Sequence, residues 1–562
     1  MDFKAILAKA IADYTKLDVL ECEGYIETPP SKDMGDFSFP CFKLAKVLRK
    51  APPAIAQELA AGIAMPEFVS KCMCIGGYLN FSINPAIRAK AVLDEILQKG
   101  ERYGASDEGK GKTICIDYSS INIAKRCHIG HLTTTVLGNA LNKIYTFLGY
   151  KCVGINHLGD WGTQFGKLLC AYKHWSNDEE IAKGGLSALV DIYVRFEREA
   201  DEAMQDEARA WFKKIEDDDA EATKIFEWFK EITLKDVAII YELLDITFDS
   251  YDGESFFKDK WQSVIEELKQ KNMLALSEGA YVVKLDEYDM PPCLMLKADG
   301  ASLYATRDMA AAFYRKKTYD FYKCLYVVAY QQNLHFKQFI KVIDLMGYEW
   351  AKDLVHVPFG MVSFEGETLS TRKGHVVYLE DLLVKSVEKA LEIINEKNPT
   401  LANKELVAKQ VGIGAVIFFD LYNNRIKDVD FWWERALNFD GETAPYVQYT
   451  HARCCSVLAK AENIVFEKAD YSVLDDIEAQ ALVVMLGDFP QIIKDACEKN
   501  EPSIITRFCA DIAQAYNRFY YERRILDQPE GILQARLALT YAAKTVIKTA
   551  LGLIGIGAPE RM

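Results

Sequence analysis

A short apolar strand, a loop, a helix and a second strand in direct succession constrain the fold of this chain most. Residues 113–118 (TICIDY) have the pattern of the first strand, and a helical pattern extends from about residue 130 to 148. The second apolar strand follows at residues 151–155 (KCVGI). This order begins a parallel α/β sheet of the nucleotide-binding kind, in which ligands bind beyond the carboxyl ends of the strands.

The loop between the first strand and the helix ends in a paired-histidine motif, His128-Ile129-Gly130-His131. A helix N-terminus presents unpaired N–H groups and the positive end of a dipole, which suit a phosphate. The glycine lets a flat ligand approach the backbone, and both imidazoles can donate hydrogen bonds to an α-phosphate during an in-line displacement. The four residues alone are weak evidence, because paired histidines also bind metal or pack. Their position after a strand favours a nucleotide.

Length and composition limit what the rest of the chain can be. The 562 residues suggest several domains, and 50% hydrophobic residues are enough for several cores. A net charge of −15 argues against a general coat of phosphate-binding charge, although a local patch can still bind RNA. The 14 cysteines have no repeated metal-binding spacing, and the sequence contains no signal-peptide or membrane-span pattern. We expect a cytoplasmic protein with reduced thiols and no membrane partner.

Periodic patterns predict further elements along the chain. Residues 54–64 have a helical pattern that begins after Pro52 and Pro53, as is common in a first helical turn. Apolar and polar residues alternate over residues 75–83, which predicts one closing strand. The acidic stretch 170–290 is predicted to be a helical insertion. Residues 325–329 (LYVVA) predict another buried strand, and the chain from residue 385 onward is predicted to be helical.

Several strings resemble one known family. Residues 117–125 (DYSSINIAK) precede the paired-histidine motif, which is a signature of class I aminoacyl-tRNA synthetases. Residues 156–166 (NHLGDWGTQFG) are similar to a string of the arginine-specific synthetases. The resemblance extends over the whole chain, including residues 34–37 (MGDF) and the final residues 558–562 (APERM).

The resemblance implies an α/β catalytic Rossmann-like domain with a parallel sheet, an α/β N-terminal added domain and an all-α C-terminal anticodon-binding domain. It implies ligation of L-arginine to tRNA(Arg) with ATP, and we expect a monomer. The expected segments are 1–105, which binds the tRNA elbow, 106–385, which is catalytic and contains the 170–290 insertion, 386–440, a helical connector, and 441–562, which binds the anticodon.

Class I synthetases have a second ATP-binding motif, KMSKS, and the matching stretch here is residues 368–374 (TLSTRKG). Thr368 and Thr371 fall where that motif has its lysines. Arg372, directly after Thr371, can still neutralise phosphate, but with a planar fork instead of a compact point charge. The resemblance implies that Lys125, three residues before His128, substitutes for the missing charge. The alternative is that Lys125 is a solvated surface lysine. The residues expected to bind ATP or to act in catalysis are Lys125, His128, Gly130, His131, Ser370, Thr371 and Arg372.

The arginine pocket follows from charge and from the resemblance. A guanidinium is a planar cation with five donors, so a selective pocket needs carboxylates in bidentate reach. The resemblance assigns Asp308 and Glu254 to the guanidinium and Tyr304 to a contact with it. Each could instead have a structural role. The other residues that it assigns to the arginine site are Asp117, Asn122 and Gln332.

The mechanism expected for such a site needs no side-chain nucleophile. The arginine carboxylate attacks the α-phosphate of ATP, Mg²⁺ bridges phosphate oxygens, and pyrophosphate leaves. The activated arginine then passes to the terminal ribose of the tRNA. Positioning and electrostatics carry both steps. A requirement for bound tRNA before activation is implied by the resemblance alone.

RNA contacts are expected from both ends of the chain, because aromatic faces hold unstacked bases and basic side chains hold the backbone. Tyr516 and Tyr520 are four residues apart, which is also the spacing of core residues on a helix. The residues expected to contact tRNA are Phe37, Tyr446, Tyr449, Tyr516, Tyr520 and Met562.

Three alternatives stay open at this point. A nucleotidylyltransferase could share the paired histidines, but the aromatic and basic C-terminal region argues against it. A synthetase for another amino acid is disfavoured by residues 156–166 and by Asp308 and Glu254. A tRNA-binding paralogue without catalysis is suggested only by the altered loop at residues 368–371.

Overall fold

The chain packs into two compact units in a computed structural model that describes residues 2–297, 300–366 and 376–562. Units of packing need not coincide with functional domains, so the four expected segments stay a prediction. The first unit comprises Met1–Tyr103, Arg453–Phe489 and Asp511–Ile547, and the second comprises Gly104–Ala452, Pro490–Ala510 and Lys548–Met562.

The N-terminal part of the first unit is an antiparallel sheet with helices packed on it, in the strand order β1-β3-β2. Helices α1 and α2 begin after Asp2 and Asp18, whose carboxylates accept backbone N–H groups of the first turn. The elements are α1 (Phe3–Thr15), α2 (Val19–Tyr25), β1 (Phe37–Pro40), α3 (Ala45–Leu48), α4 (Pro52–Gly62), β2 (Val69–Ile75), β3 (Tyr78–Ile83) and α5 (Pro85–Lys99).

The prediction of a single strand over residues 75–83 was wrong. Ile75 ends β2 and pairs with Tyr78 at the start of β3, so the chain reverses between them. Gly76 has a φ of 59°, which a glycine adopts without steric cost. The alternating pattern continues through this tight turn, and alternation alone does not reveal where a hairpin folds back.

The second unit is built on a four-stranded parallel sheet in the order β10-β9-β4-β5. The strands predicted at residues 151–155 and 325–329, and the helix predicted near 130–148, are confirmed. The elements are β4 (Thr113–Asp117), α6 (Leu132–Phe147), β5 (Lys151–Ile155), α7 (Thr163–Trp175), α8 (Asp178–Glu199), α9 (Glu202–Glu216), α10 (Ala220–Leu244), α11 (Gln262–Gln270), β6 (Leu274–Ser277), β7 (Ala280–Val283), β8 (Cys293–Lys297), α12 (Tyr304–Tyr319), β9 (Lys323–Ala329), α13 (Asn333–Leu345), β10 (Leu354–Phe359), β11 (Val362–Phe364), α14 (Leu379–Lys397), α15 (Lys404–Tyr422), β12 (Val429–Phe431) and α16 (Trp433–Ala436).

The acidic stretch is helical only as far as α11. After it, β6, β7 and β8 form a small antiparallel sheet, and the two-residue turn between β6 and β7 has positive φ at Glu278 (49°) and Gly279 (78°). Positive φ at both central residues is the geometry that matches the twist of a hairpin. The prediction of a largely helical stretch over about 170–290 is therefore confirmed as far as α11, and its C-terminal end is a hairpin instead.

The last part of the chain is helical, as predicted, apart from the short strand β12, which pairs with β11. All fourteen cysteines are free, in agreement with the expectation of reduced thiols. Among the described residues, no helix is both long and apolar enough to cross a membrane. The final helices are α17 (Ala444–Lys460), α18 (Ile477–Glu498), α19 (Ser503–Glu522) and α20 (Glu530–Leu553).

Candidate active site

The carboxyl edge of the parallel sheet brings together residues that are far apart in sequence. Strand β4 ends at Asp117, β5 leads into Asn156, and β9 leads into the short turn that contains Gln332. The chain leaves β4 towards β5 on one side, and β9 pairs with β4 on the other side. Such a reversal of strand order separates the loops and leaves room for a ligand.

The paired histidines form a short turn directly before α6. His128 Nδ1 accepts the Gly130 N–H at 3.1 Å, and the His128 N–H donates to His131 Nδ1 at 3.2 Å. The two ring centroids are 4.2 Å apart, as the spacing of the motif predicts. Since Nδ1 of His128 accepts a hydrogen bond, the neutral ring has its proton on Nε2 and can donate it to a ligand.

Both imidazoles are neutral at physiological pH. Burial, followed by the positive charge of Lys125, lowers the pKa of His128. Burial, followed by the neighbouring His128, lowers the pKa of His131 to about 4. The turn therefore offers uncharged donors, while the neighbouring Lys125 is an exposed cation.

The loop between β4 and the histidine turn has an unusual backbone. Ser119, Ser120 and Ala124 have φ values of 68°, 46° and 59°, which residues other than glycine seldom adopt. Contacts with α10 hold the loop: Ser119 Oγ lies 2.8 Å from the Tyr241 hydroxyl, and the Ala124 N–H donates to Thr233 Oγ1 at 3.1 Å. A helix of the predicted insertion thus supports the loop that carries Lys125.

The second predicted ATP-binding stretch, with Ser370, Thr371 and Arg372, lies outside the described residues. The segment that follows it is joined to the histidine turn. The Ile129 N–H donates to the Val377 carbonyl at 2.9 Å, and the Leu379 N–H donates to the Cys127 carbonyl at 3.0 Å. Backbone hydrogen bonds therefore connect the chain that follows the second motif to the first motif.

Glu254 is one of the two acids predicted for the guanidinium. Its Oε2 lies 3.7 Å from Arg307 Nη2. Burial raises the pKa of Glu254 to about 7. The positive charge of Arg307 lowers this pKa by less than burial raises it, and the negative charges of Asp308 and Asp160 raise it further. An arriving guanidinium would favour the charged form of this carboxyl.

Asp308, the second acid, has the opposite tendency. His335 Nε2 lies 2.5 Å from Asp308 Oδ2. Burial opposes ionisation, but His335, and more weakly His157 and Arg315, hold the pKa of Asp308 below its ordinary value. The sequence did not indicate His335 as a site residue, although it follows Gln332 by three positions at the start of α13.

The remaining pocket residues differ in exposure. Tyr304 is 66% exposed and begins α12 one turn before Asp308. Gln332 is exposed after β9. Asn122 is half-buried and pairs with Gly159, where a Cβ atom would lie only 2.4 Å from Asn122 Oδ1. The glycine is therefore required for the close approach of these two loops.

Asp117 is already engaged by other residues of the chain. Its Oδ2 lies 2.7 Å from Arg315 Nη2, and its Oδ1 accepts the Ser120 Oγ–H at 2.7 Å. The Asp117 and Arg315 side chains are only 7% and 3% exposed, so this ion pair fastens the end of β4 to α12. A direct contact of Asp117 with arginine would compete with Arg315, and its predicted role stays untested.

The tyrosines predicted to contact tRNA differ in accessibility. Tyr449 is 44% exposed and Tyr520 is 37% exposed. The guanidinium carbon of Arg453 lies 5.0 Å from the centroid of the Tyr520 ring, so the two side chains form a cation–π contact. Tyr516 has no exposed surface, which favours the core alternative that its spacing left open. Tyr521, the aromatic neighbour of Tyr520 in the same region, is 72% exposed.

The other three predicted tRNA contacts are half-buried. Phe37 packs against the hydrophobic core of the N-terminal sheet. Met562 packs against a cluster of residues from α14, α15 and the segment between them, and its backbone carbonyl accepts a hydrogen bond from Asn398 Nδ2 at 3.2 Å. Tyr446 lies near the start of α17. Each has a structural contact or position that explains part of its burial, and the RNA contacts stay predictions.

Family models match most of the chain. The model described as tRNA synthetases class I (R), catalytic domain, matches residues 92–433, so the sheet and its histidine turn are those of a class I aminoacyl-tRNA synthetase. The DALR anticodon binding domain matches residues 447–562, and the Arginyl tRNA synthetase N terminal domain matches residues 1–83. The chain belongs to the arginyl-tRNA synthetase family.

Individual relatives agree with this family over at least 95% of their length. A curated arginine–tRNA ligase of Alkaliphilus metalliredigens (strain QYMF) is 54% identical, covering 96% of this chain and 95% of the relative. That of Clostridioides difficile (strain 630) is 53% identical and covers 100% of both chains. The solved Thermus thermophilus arginyl-tRNA synthetase has a TM-score of 0.84 and 27% identity, and covers 100% of both chains. The class I fold with an added N-terminal domain and a helical C-terminal domain is thereby confirmed.

The raised pKa of Glu254 predicts that arginine recognition depends on pH. If Glu254 binds the guanidinium as a charged carboxylate, a proton must leave it when arginine binds below about pH 7. The KM for arginine should rise as the pH falls, approaching a tenfold increase per unit. Initial rates between pH 6 and 8.5 test this, with the KM for ATP as the control. Glu254→Gln should have a higher KM without that slope, and a KM constant with pH in the unaltered enzyme would contradict the prediction.

Proposed function

We propose that the residues at the carboxyl edge of the parallel sheet bind ATP and arginine and carry out arginine activation. The chain is an arginine–tRNA ligase, which charges tRNA(Arg) with arginine in a two-step reaction that consumes ATP in the first step. The observation that supports the assignment is the convergence of chain segments at this edge. The histidine turn follows β4, the loop that contacts Glu254 follows β5, and Gln332 follows β9.

At the ATP end, the proposed donors are the two neutral imidazoles. In the attack of the arginine carboxylate on the α-phosphate, negative charge grows on the phosphate oxygens, and a preorganised donor stabilises it without carrying a charge of its own. Lys125 and the stretch with Ser370, Thr371 and Arg372 supply positive charge. Mg²⁺ is proposed to arrive with ATP as part of the substrate, because phosphate oxygens are its preferred ligands.

At the arginine end, the two acids are proposed to divide the recognition of the guanidinium. Asp308 is charged before arginine binds, because His335 supports the carboxylate. Glu254, whose pKa is about 7, becomes fully ionised only when the positive guanidinium binds beside it. Tyr304 packs on the planar cation. Asn122 and Gln332 hold the α-amino end of the substrate.

A pocket of this kind rejects lysine strongly, because an ammonium offers no planar fork to paired carboxylates. The test is charging of tRNA(Arg) with a panel of amino acids, together with ATP–pyrophosphate exchange in the presence and absence of the tRNA. We expect arginine alone to be charged, and exchange to require the tRNA. Absence of arginine-dependent turnover in both conditions would contradict the proposal and favour a tRNA-binding paralogue without catalysis.

For tRNA, we propose that exposed aromatic and basic side chains of the C-terminal region hold the anticodon, with Tyr520 beside Arg453 as the best-supported example. The proposed state is a monomer in the cytoplasm, where fourteen free cysteines would stay reduced. Sedimentation of the purified chain over a range of concentrations tests the monomer, and a concentration-dependent dimer would contradict it.

Tyr520→Ala should weaken tRNA binding without changing the KM for ATP. One base stack contributes about 1–3 kcal/mol, which corresponds to a rise of roughly 5- to 150-fold in the KM for tRNA(Arg). Tyr520→Phe is the matched control, since it keeps the ring and should keep the affinity. Equal losses for tRNA and ATP would identify Tyr520 as a residue that only supports the fold.

A further inference from the structure

Two loops at the carboxyl edge of the sheet are joined by a series of backbone hydrogen bonds. The Asn156 N–H donates to the Ser250 carbonyl at 2.9 Å, and the Glu254 N–H donates to the Leu158 carbonyl at 2.9 Å. Between them, His157 Nδ1 lies 3.0 Å from the backbone carbonyl of residue 252. The first residues of the string at 156–166 therefore hold the backbone of Glu254 by hydrogen bonds.

Asp160 binds the end of the second loop with both carboxylate oxygens. Its Oδ1 accepts the Ser255 N–H at 2.8 Å, and its Oδ2 accepts the Ser255 Oγ–H at 2.7 Å. Lys230 Nζ on α10 lies 2.8 Å from the same Oδ2. Asp160 has no exposed surface, so its charge is compensated by these contacts within the fold.

The contact between the loops leaves no room for adjustment. A Cβ atom on Gly253 would lie 2.5 Å from the Leu158 carbonyl oxygen and 2.6 Å from Asp160 Oδ1. Glu254 opens a short 3-10 turn, and the residue before it contributes no side-chain cap. Asp160 takes the place of that cap from a distant part of the chain, and a carboxylate is one of the side chains suited to free N–H groups at such a turn.

We propose that Asp160, neutralised by Lys230, is a positioning residue for arginine recognition: it holds Ser255 and thereby fixes the direction in which the adjacent Glu254 faces the guanidinium. This inference rests on the proposed role of Glu254 and goes beyond it, since Asp160 itself does not touch the substrate. It also gives a physical reason for the presence of an acid within residues 156–166.

Asp160→Asn tests the proposal, because it keeps the size of the side chain but loses the charge and one acceptor. We expect the KM for arginine to rise about tenfold, with kcat and the KM for ATP within about twofold of the unaltered enzyme. Ser255→Ala, which removes only the hydroxyl contact, should raise the same KM by a smaller factor. Asp259→Asn is the matched control, since its side chain is 72% exposed on the same segment.

A double-mutant cycle separates positioning from general stabilisation. If Asp160 acts through Glu254, then Asp160→Asn should add nothing to the KM for arginine in a Glu254→Gln background. Independent, multiplying effects would overturn the proposal, as would a uniform loss of kcat and of both KM values. Glu254→Gln with an unchanged KM would overturn the proposed function of Glu254 itself. If Asp160→Asn does not fold, Ser255→Ala and Lys230→Gln are each combined with Glu254→Gln in the same way. Independent, multiplying effects on the KM for arginine in those cycles would also overturn the proposal.

Discussion

Replacing Asp308 by Asn should raise the KM for arginine by about 100-fold or more. The carboxylate is partly buried and charged before the substrate arrives, because His335 Nε2 lies 2.5 Å from it. Removing one partner of a desolvated charge pair costs about 3–5 kcal/mol, since the other charge is left without compensation. Here the unpaired group is the guanidinium of the substrate, so the loss falls on arginine binding.

Steady-state kinetics with varied arginine measure this effect. The KM for ATP should change little, because Asp308 belongs to the proposed arginine end of the site. Asp344→Asn is a suitable control, since that acid is 53% exposed on α13 and pairs with Lys341 on the surface. A normal KM for arginine in Asp308→Asn would mean that the guanidinium is recognised elsewhere.

Replacing His131 by Ala should lower the rate of arginine activation by about 100- to 1000-fold, which is the usual effect of removing one donor to a developing oxyanion. The ring is a neutral donor, because its pKa lies at about 4. A neutral donor contributes little to ground-state binding of ATP but strengthens as charge develops on the phosphate. The loss should therefore appear in kcat and leave the KM for arginine nearly unchanged.

The low pKa gives this prediction a second measurable consequence. Between pH 6 and 8 no titration of His131 should appear in kcat, because the ring is already neutral over that range. His131→Asn, which retains an N–H donor, should recover part of the lost rate. An unchanged turnover number in His131→Ala would contradict the assigned role, and equal losses in kcat and in arginine affinity would indicate a structural one.

The elements next to the site could be predicted because their signals are local. The strand at residues 113–118, the strand at 151–155 and the intervening helix each have one clear period and a bounded length. The errors have local causes as well. Alternation does not stop at Gly76, and the hairpin of β6 and β7 lies directly after α11 within the stretch predicted to be largely helical.

Site residues were predicted by type and by resemblance, but their pairing was not. Arg315 neutralises Asp117, and His335 supports Asp308, although each pair is separated by many residues in the chain. Tyr516 shows the same limit, since its spacing suits either a core or an RNA contact, and only packing places it inside.

The strand, histidine turn and helix that begin the sheet were thus determined by the sequence itself, because hydrophobic period and helix capping act over a few residues. The tertiary structure alone decided which charges compensate each other. It buries Glu254 and raises its pKa to about 7, while it lowers that of Asp308 beside His335. Burial and the distances between charges set these differences, and both arise only when distant segments meet at the edge of the sheet.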